Sequence, residues 1–144
     1  MANSITQTIT ESITLEGNAI SNSLTNTVSN LVYKESKIIN LSTSFQTIVT
    51  ADATASAFPK YDWDKVNYLS ITNLDDTNLV YIELELSTGT DFAYLTIGPG
   101  MWWSINSLQN YIDDDSGLAA DIEAIQGKFR SSAGNIELLI GSIA

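Results

Sequence analysis

Three groups of side chains in this sequence have the type and spacing to do chemistry. Glu83 and Glu85 stand two residues apart in Leu79–Leu86, a run whose alternation with Leu84 and Leu86 predicts a strand with both carboxylates on one face. Two carboxylates held across a bond are the apparatus of acid–base hydrolysis, as in glycoside cleavage. Any half-buried strand produces the same alternation, so the pair reads first as a polar strand face. Asp113-Asp114-Asp115-Ser116-Gly117 is the densest acidic cluster and invites a divalent cation. With Gly117 at the sixth position of a calcium loop, Asp114 falls third and Glu123 twelfth, but Ile112 then occupies the first ligand position and has no side-chain oxygen. Asp113, Asp114 and Asp115 therefore read as a solvated acidic loop, and neither a metal nor a cofactor is expected. The third group is aromatic: Trp63, Trp102 and Trp103 with Tyr61, Tyr68, Tyr81, Tyr94 and Tyr111. Exposed rings beside hydrogen-bonding groups stack on sugars, whereas buried or interface rings serve packing. Adjacent Trp102 and Trp103 on a strand point to opposite faces, so only one can enter a core.

Composition narrows the chemistry further. The 144 residues include no Cys and no His, which removes thiol nucleophiles, zinc–thiolate sites and the Ser–His–Asp triad. Six Lys and Arg against 17 Asp and Glu leave a formal net charge of −11, the wrong sign for a nucleic-acid backbone. Lys60, Lys65, Lys128 and Arg130 form no basic run. No apolar stretch is long enough for a membrane helix, and the N-terminus lacks the pattern of a secretory signal. The charged fraction of 16% is low, so Ser, Thr and Asn must build much of the surface. Such a surface suits β-structure and protein contact, because few charges need desolvating. An enzyme is not expected.

The elements that must position these groups read as strands almost throughout. In residues 1–33, Ile5, Ile9, Ile13 and Leu15 alternate with Thr and Ser, Gly17-Asn18 marks a turn, and Ile20, Leu24, Val28 and Val32 recur every four residues. This segment reads as a β arm or an edge hairpin. An arm with open strand edges would be a template for a neighbouring subunit. Residues 34–144 read as a separate β domain, with strands over Lys37–Leu41, Phe45–Thr50, Val66–Asn73, Leu79–Leu86, Phe92–Ile97, Met101–Ile105 and Ile136–Ile143. Residues 51–65 read as a loop. Leu118, Ile122 and Ile125 suggest a short helix, started by Asp115 or Ser116 and ended by Gly127. The expected fold is an all-β sandwich, jelly-roll-like, with an N-terminal arm and one short helix.

Val66-Asn67-Tyr68-Leu69-Ser70-Ile71-Thr72-Asn73-Leu74-Asp75-Asp76-Thr77-Asn78-Leu79-Val80-Tyr81-Ile82 resembles a hairpin found in small structural proteins of tailed bacteriophages. In those proteins a Phe-containing strand and a Gly-rich turn follow, as Phe92–Ile97 and Gly98-Pro99-Gly100-Met101-Trp102 do here. Within the motif, Asn73 and Asp75 supply acceptors for turn amides, and Asn78 tolerates positive φ. The chain departs from the pattern in continuing its second strand through Glu83 and Leu84 and in placing Met101-Trp102-Trp103 after the turn. The resemblance implies a virion component that binds major capsid or tail proteins. One small domain, an arm able to bridge subunits and the lack of catalytic apparatus favour a non-catalytic, homo-oligomeric head decoration protein over a tail, neck or fibre part. A carbohydrate-binding module for host adhesion is the alternative. The residues expected at the contact are Ile5, Ile9 and Ile13 on the arm and Met101, Trp102 and Trp103 at the turn.

Overall fold

The computed structural model describes residues 3–15, 17–52, 56–62, 65–86, 92–106 and 122–142, and these are almost entirely strand. The strands are β1 (Asn3–Leu15), β2 (Asn18–Leu31), β3 (Tyr33–Leu41), β4 (Gln46–Ala51), β5 (Ser56–Ala57), β6 (Lys60–Tyr61), β7 (Val66–Asn73), β8 (Val80–Leu86), β9 (Phe92–Ile97), β10 (Trp102–Asn106), β11 (Ile122–Phe129) and β12 (Gly134–Ser142). They form a two-stranded sheet, β1-β2, a four-stranded sheet, β10-β7-β12-β3, and a six-stranded sheet, β5-β6-β4-β11-β8-β9. Setting aside the two-residue strands β5 and β6, the body pairs in a nested order. The first strand, β3, lies against the last, β12. Inside that pair β4 lies against β11, then β7 against β10, then β8 against β9, all antiparallel.

One hydrophobic core serves both larger sheets. Leu69, Ile71, Ile136, Leu138 and Ile140 come from the four-stranded sheet, and Ile48, Val49, Val80, Ile82, Ile125 and Phe129 from the six-stranded one. Every second residue of β8 points inward, so Val80, Ile82 and Leu84 are buried while Tyr81, Glu83 and Glu85 stay half-exposed. The same alternation sends Trp103 and Ile105 of β10 against the core and leaves Trp102 outside.

Two readings of the sequence need correction. Residues 51–65 contain the short strands β5 and β6 around a cis Phe58–Pro59 bond, and Tyr61 is buried there. The helix expected from Leu118 to Gly127 is strand wherever that stretch is described, since Ile122–Phe129 is β11. Ile122 and Ile125 are both buried although they stand three residues apart, because the register with β8 shifts between Ile122 and Ala124. That bulge produces a helix-like spacing within a strand. Gly127 ends no helix. It faces the core, where a Cβ would meet Ile48 Cδ1 at 2.8 Å and Leu41 Cδ1 at 2.9 Å. A glycine is required there by close packing.

Candidate functional site

The N-terminal hairpin stands apart from the body and has two dissimilar faces. On one face, hydroxyls pair across the strands: Thr6 with Thr27 at 3.3 Å, Thr8 with Thr25 at 3.2 Å and Thr10 with Ser23 at 3.5 Å. On the other, register places Ile5 opposite Val28, Ile9 opposite Leu24 and Ile13 opposite Ile20, with Gln7 and the Glu11–Asn22 rung between. The period of four seen in the sequence is thus a strand face on which every second rung is apolar. Gly17 takes a φ of 83° to close the turn.

Among the described residues, the base of this ribbon is held to the body. Gln7 Nε2 donates to Ser104 Oγ at 3.1 Å, and Val32 N donates to Ser142 O at 2.9 Å. A Cβ on Gly141 would sit 3.1 Å from both Ile5 Cδ1 and Leu31 Cδ1, so the missing side chain makes the seat for those two residues. Beyond the base, residues 8–14 and 17–25 are exposed, including Ile9, Ile13 (53%), Ile20 and Leu24 (66%).

The four-stranded sheet turns its outer face toward the same side of the hairpin. Register aligns Ile38, Glu137, Thr72 and Trp102 across β3, β12, β7 and β10 in one row. The next row, Ser36, Leu139, Ser70 and Ser104, ends on the serine that Gln7 holds. Tyr68 and Ser70 are buried at that end, whereas Ile38 (70%) and Trp102 (48%) are open to solvent. Met101 is exposed beside Trp102. Of the aromatic pair only Trp102 lies outward, while Trp103 packs against the core.

The corner that carries Met101 and Trp102 is held by Asn73, which is fully buried. Its Nδ2 donates to Asn78 O at 2.8 Å, Gly98 O at 3.1 Å and Ile97 O at 3.2 Å, and its Oδ1 accepts from Asp75 N at 3.0 Å. Asp75 Oδ1 in turn accepts from Thr77 N at 2.9 Å and Asn78 N at 2.7 Å, and these amides lower its carboxyl pKa. The expected acceptor roles of Asn73 and Asp75 are therefore met. Asn78 does not use a positive φ, which among the described non-glycine residues belongs to Asn30 at 63°. Instead Asn78 Nδ2 donates to Ser132 O at 2.9 Å, tying two loops together. Pro99 and Gly100 (φ 65°) close a tight turn in which Met101 N donates to Gly98 O at 3.1 Å.

A second surface lies on the outer face of the six-stranded sheet. Glu83 faces Tyr94 and Gln126, Glu85 faces Phe92, and Tyr81 faces Lys128. Gln126 Nε2 donates to Glu85 Oε2 at 3.2 Å. Tyr94 donates to the Glu83 carboxylate, which raises the phenol's pKa. Tyr94 (64% exposed), Phe92 and Phe45 form a tilted cluster with centroid separations of 6.4 Å, and Lys128 Nζ lies 4.4 Å from the Phe45 ring centre. The paired carboxylates singled out in the sequence thus face an aromatic cluster. Spacing had suggested their common face, but only cross-strand register brings Phe92, Tyr94 and Gln126 beside them.

One further polar cluster had no signal in the sequence. Tyr61 and Tyr33 both donate to Glu35 Oε2, Tyr33 at 2.9 Å, and Lys37 Nζ lies 3.0 Å from Oε1. Burial pushes the Glu35 carboxyl up, but the hydrogen bonds from Tyr61, Lys37 and Tyr33 outweigh it and bring the pKa down to about 2. Burial and the same bond hold the Tyr61 phenol far above its ordinary range. This cluster closes one end of the core, with Tyr61 buried and Tyr33 and Lys37 at the surface.

Trp63, Tyr111 and the acidic cluster Asp113, Asp114 and Asp115 lie outside the described residues. Among the described residues no group of three or more Asp and Glu is placed to hold a metal ion. Compared with known proteins, the chain matches no family model, no curated protein and no solved structure.

Proposed function

We propose that this chain is a non-catalytic structural protein of a tailed-phage virion, which binds capsid or tail proteins and stabilises the particle. The observation that carries the reading is the hairpin. A ribbon about 40 Å long at ~3.3 Å per residue, with aliphatic side chains in solvent and both outer edges open, has little stability by itself. Burial against another protein completes it. The body reads as a jelly roll: nesting β3 with β12, β4 with β11, β7 with β10 and β8 with β9 is the pairing of a long hairpin rolled into two sheets, an architecture used by viral shell proteins. The hairpin motif at 66–82 adds the resemblance to phage structural proteins, and a decoration role on the head is preferred. Quantitative mass spectrometry of purified particles is the test. Copies on the order of hundreds support decoration, about six or twelve place the protein in a neck or tail ring, and absence from particles overturns the reading.

A second reading is favoured by the surface of Glu83, Glu85, Gln126, Phe92 and Tyr94. Exposed rings beside a carboxylate–amide pair have the chemistry to stack on a neutral saccharide and hydrogen-bond its hydroxyls, in the manner of a carbohydrate-binding module for host adhesion. A glycan array decides it. Binding that Tyr94→Ala abolishes would supplant the structural reading, and a blank array removes the saccharide.

A further inference from the structure

We propose that the distal half of the β1–β2 hairpin of one copy docks on the outer face of the four-stranded sheet of another copy, so that each chain both gives and receives a hairpin. The inference rests on reading the hairpin as the assembly element and names its partner as a second copy of this chain.

Continuity with a contact already made is the main argument. The apolar face of the hairpin is the face that its own base lays on the body, through Ile5 at Gly141 and Gln7 at Ser104. Past the base, the same face continues with Ile9–Leu24 and Ile13–Ile20, which are exposed. The receiving sheet has the complementary feature. Its outer face is buried at Tyr68 and Ser70, and one row further Ile38, Trp102 and the neighbouring Met101 are open, with Glu137 and Thr72 between Ile38 and Trp102. A hairpin too long for its own sheet and a sheet wider than its own hairpin satisfy each other when copies associate.

Area sets the form of the association. Seven residues on each strand of the exposed ribbon give a face of roughly 24 Å by 10 Å, or about 500 Å² counting both partners. One such contact falls short of the ~1,000 Å² that a specific interface needs, and two in a closed arrangement reach it. Each chain must therefore act as donor and acceptor in a reciprocal pair, which places both contacts in one interface.

The test uses the purified full-length chain. Light scattering is expected to give a multiple of 15.6 kDa, and Ile13→Lys combined with Leu24→Lys is expected to give a monomer with an unchanged body melting transition. Because the chain has no Cys, a second measurement does not depend on stability. Ile13→Cys and Ile38→Cys chains are mixed and oxidised, and a disulfide-linked heterodimer is expected in preference to either homodimer. A monomer at all concentrations overturns the inference. So does cross-linking between Ile13→Cys chains alone, which places hairpin against hairpin. If the lone chain is monomeric yet deletion of residues 1–33 prevents entry into particles, the hairpin serves assembly with a different protein. The inference then falls while the proposed function stands.

Discussion

At the scale of single residues, the most consequential polar groups are those whose partners come from distant strands. Glu35 lies at one end of the core with Tyr61 and Tyr33 donating to it. Its carboxyl is held at about 2 in the folded protein against an ordinary value of 4.5, so it stabilises the fold above pH 4.5 and loses that contribution as pH falls toward 2. Thermal unfolding measured across that range should show Glu35→Gln well below the wild type at pH 7, with the gap closing near pH 2. Asn73 is a second such group. Asn73→Ala removes the side-chain donor of Asn78 O and Ile97 O and the acceptor of the Asp75 amide, leaving Gly98 O only Met101 N, and should cost about 2–4 kcal/mol in urea titrations. The sequence marked Asn73 as a turn residue because it precedes Asp75-Asp76. That its amide would gather the carbonyls of Ile97 and Gly98 needed a second loop, 24 residues away, folded onto it.

At the scale of elements, strand alternation was legible wherever one face is buried and the other wet. β7 and β9 occupy the expected Val66–Asn73 and Phe92–Ile97, and β8, β10 and β12 differ from their expected spans only at the ends. The reading failed at β11, where a register shift places buried residues three apart and imitates a helix. It was also incomplete for the hairpin, whose apolar residues could be seen but not what they cover. Gly141 links the hairpin to the body. Gly141→Val would drive a side chain into Ile5 and Leu31 and should cost about 1–3 kcal/mol, as overpacking does. Hydrogen exchange should then show lost amide protection in β1 and β2, with β8 and β11 little changed.

At the scale of the whole molecule, a net charge of −11 sets copies against one another. Association through hairpins should therefore strengthen with salt. Raising ionic strength from ~0.01 M to ~1 M shortens the screening length from ~30 Å to ~3 Å and removes the repulsion between bodies. The associated fraction measured by sedimentation should rise over that range. A fall with salt would mean that attraction between opposite charges holds the copies together.

The sequence by itself determined the chemistry available and the local geometry. The absence of Cys and His, the surplus of acids, the all-β alternation and the distinct composition of residues 1–33 all depend on residue type and near neighbours. Tertiary structure alone decided which faces meet. It set the nested strand pairing, the burial of Trp103 beside an exposed Trp102, the glycine seat beneath Ile5, and the meeting of Glu83 and Glu85 with Tyr94 and Phe92. The physical reason is the same in each case. Alternation says that a strand has two faces, but which one is covered depends on cross-strand register and sheet packing between residues far apart in the chain.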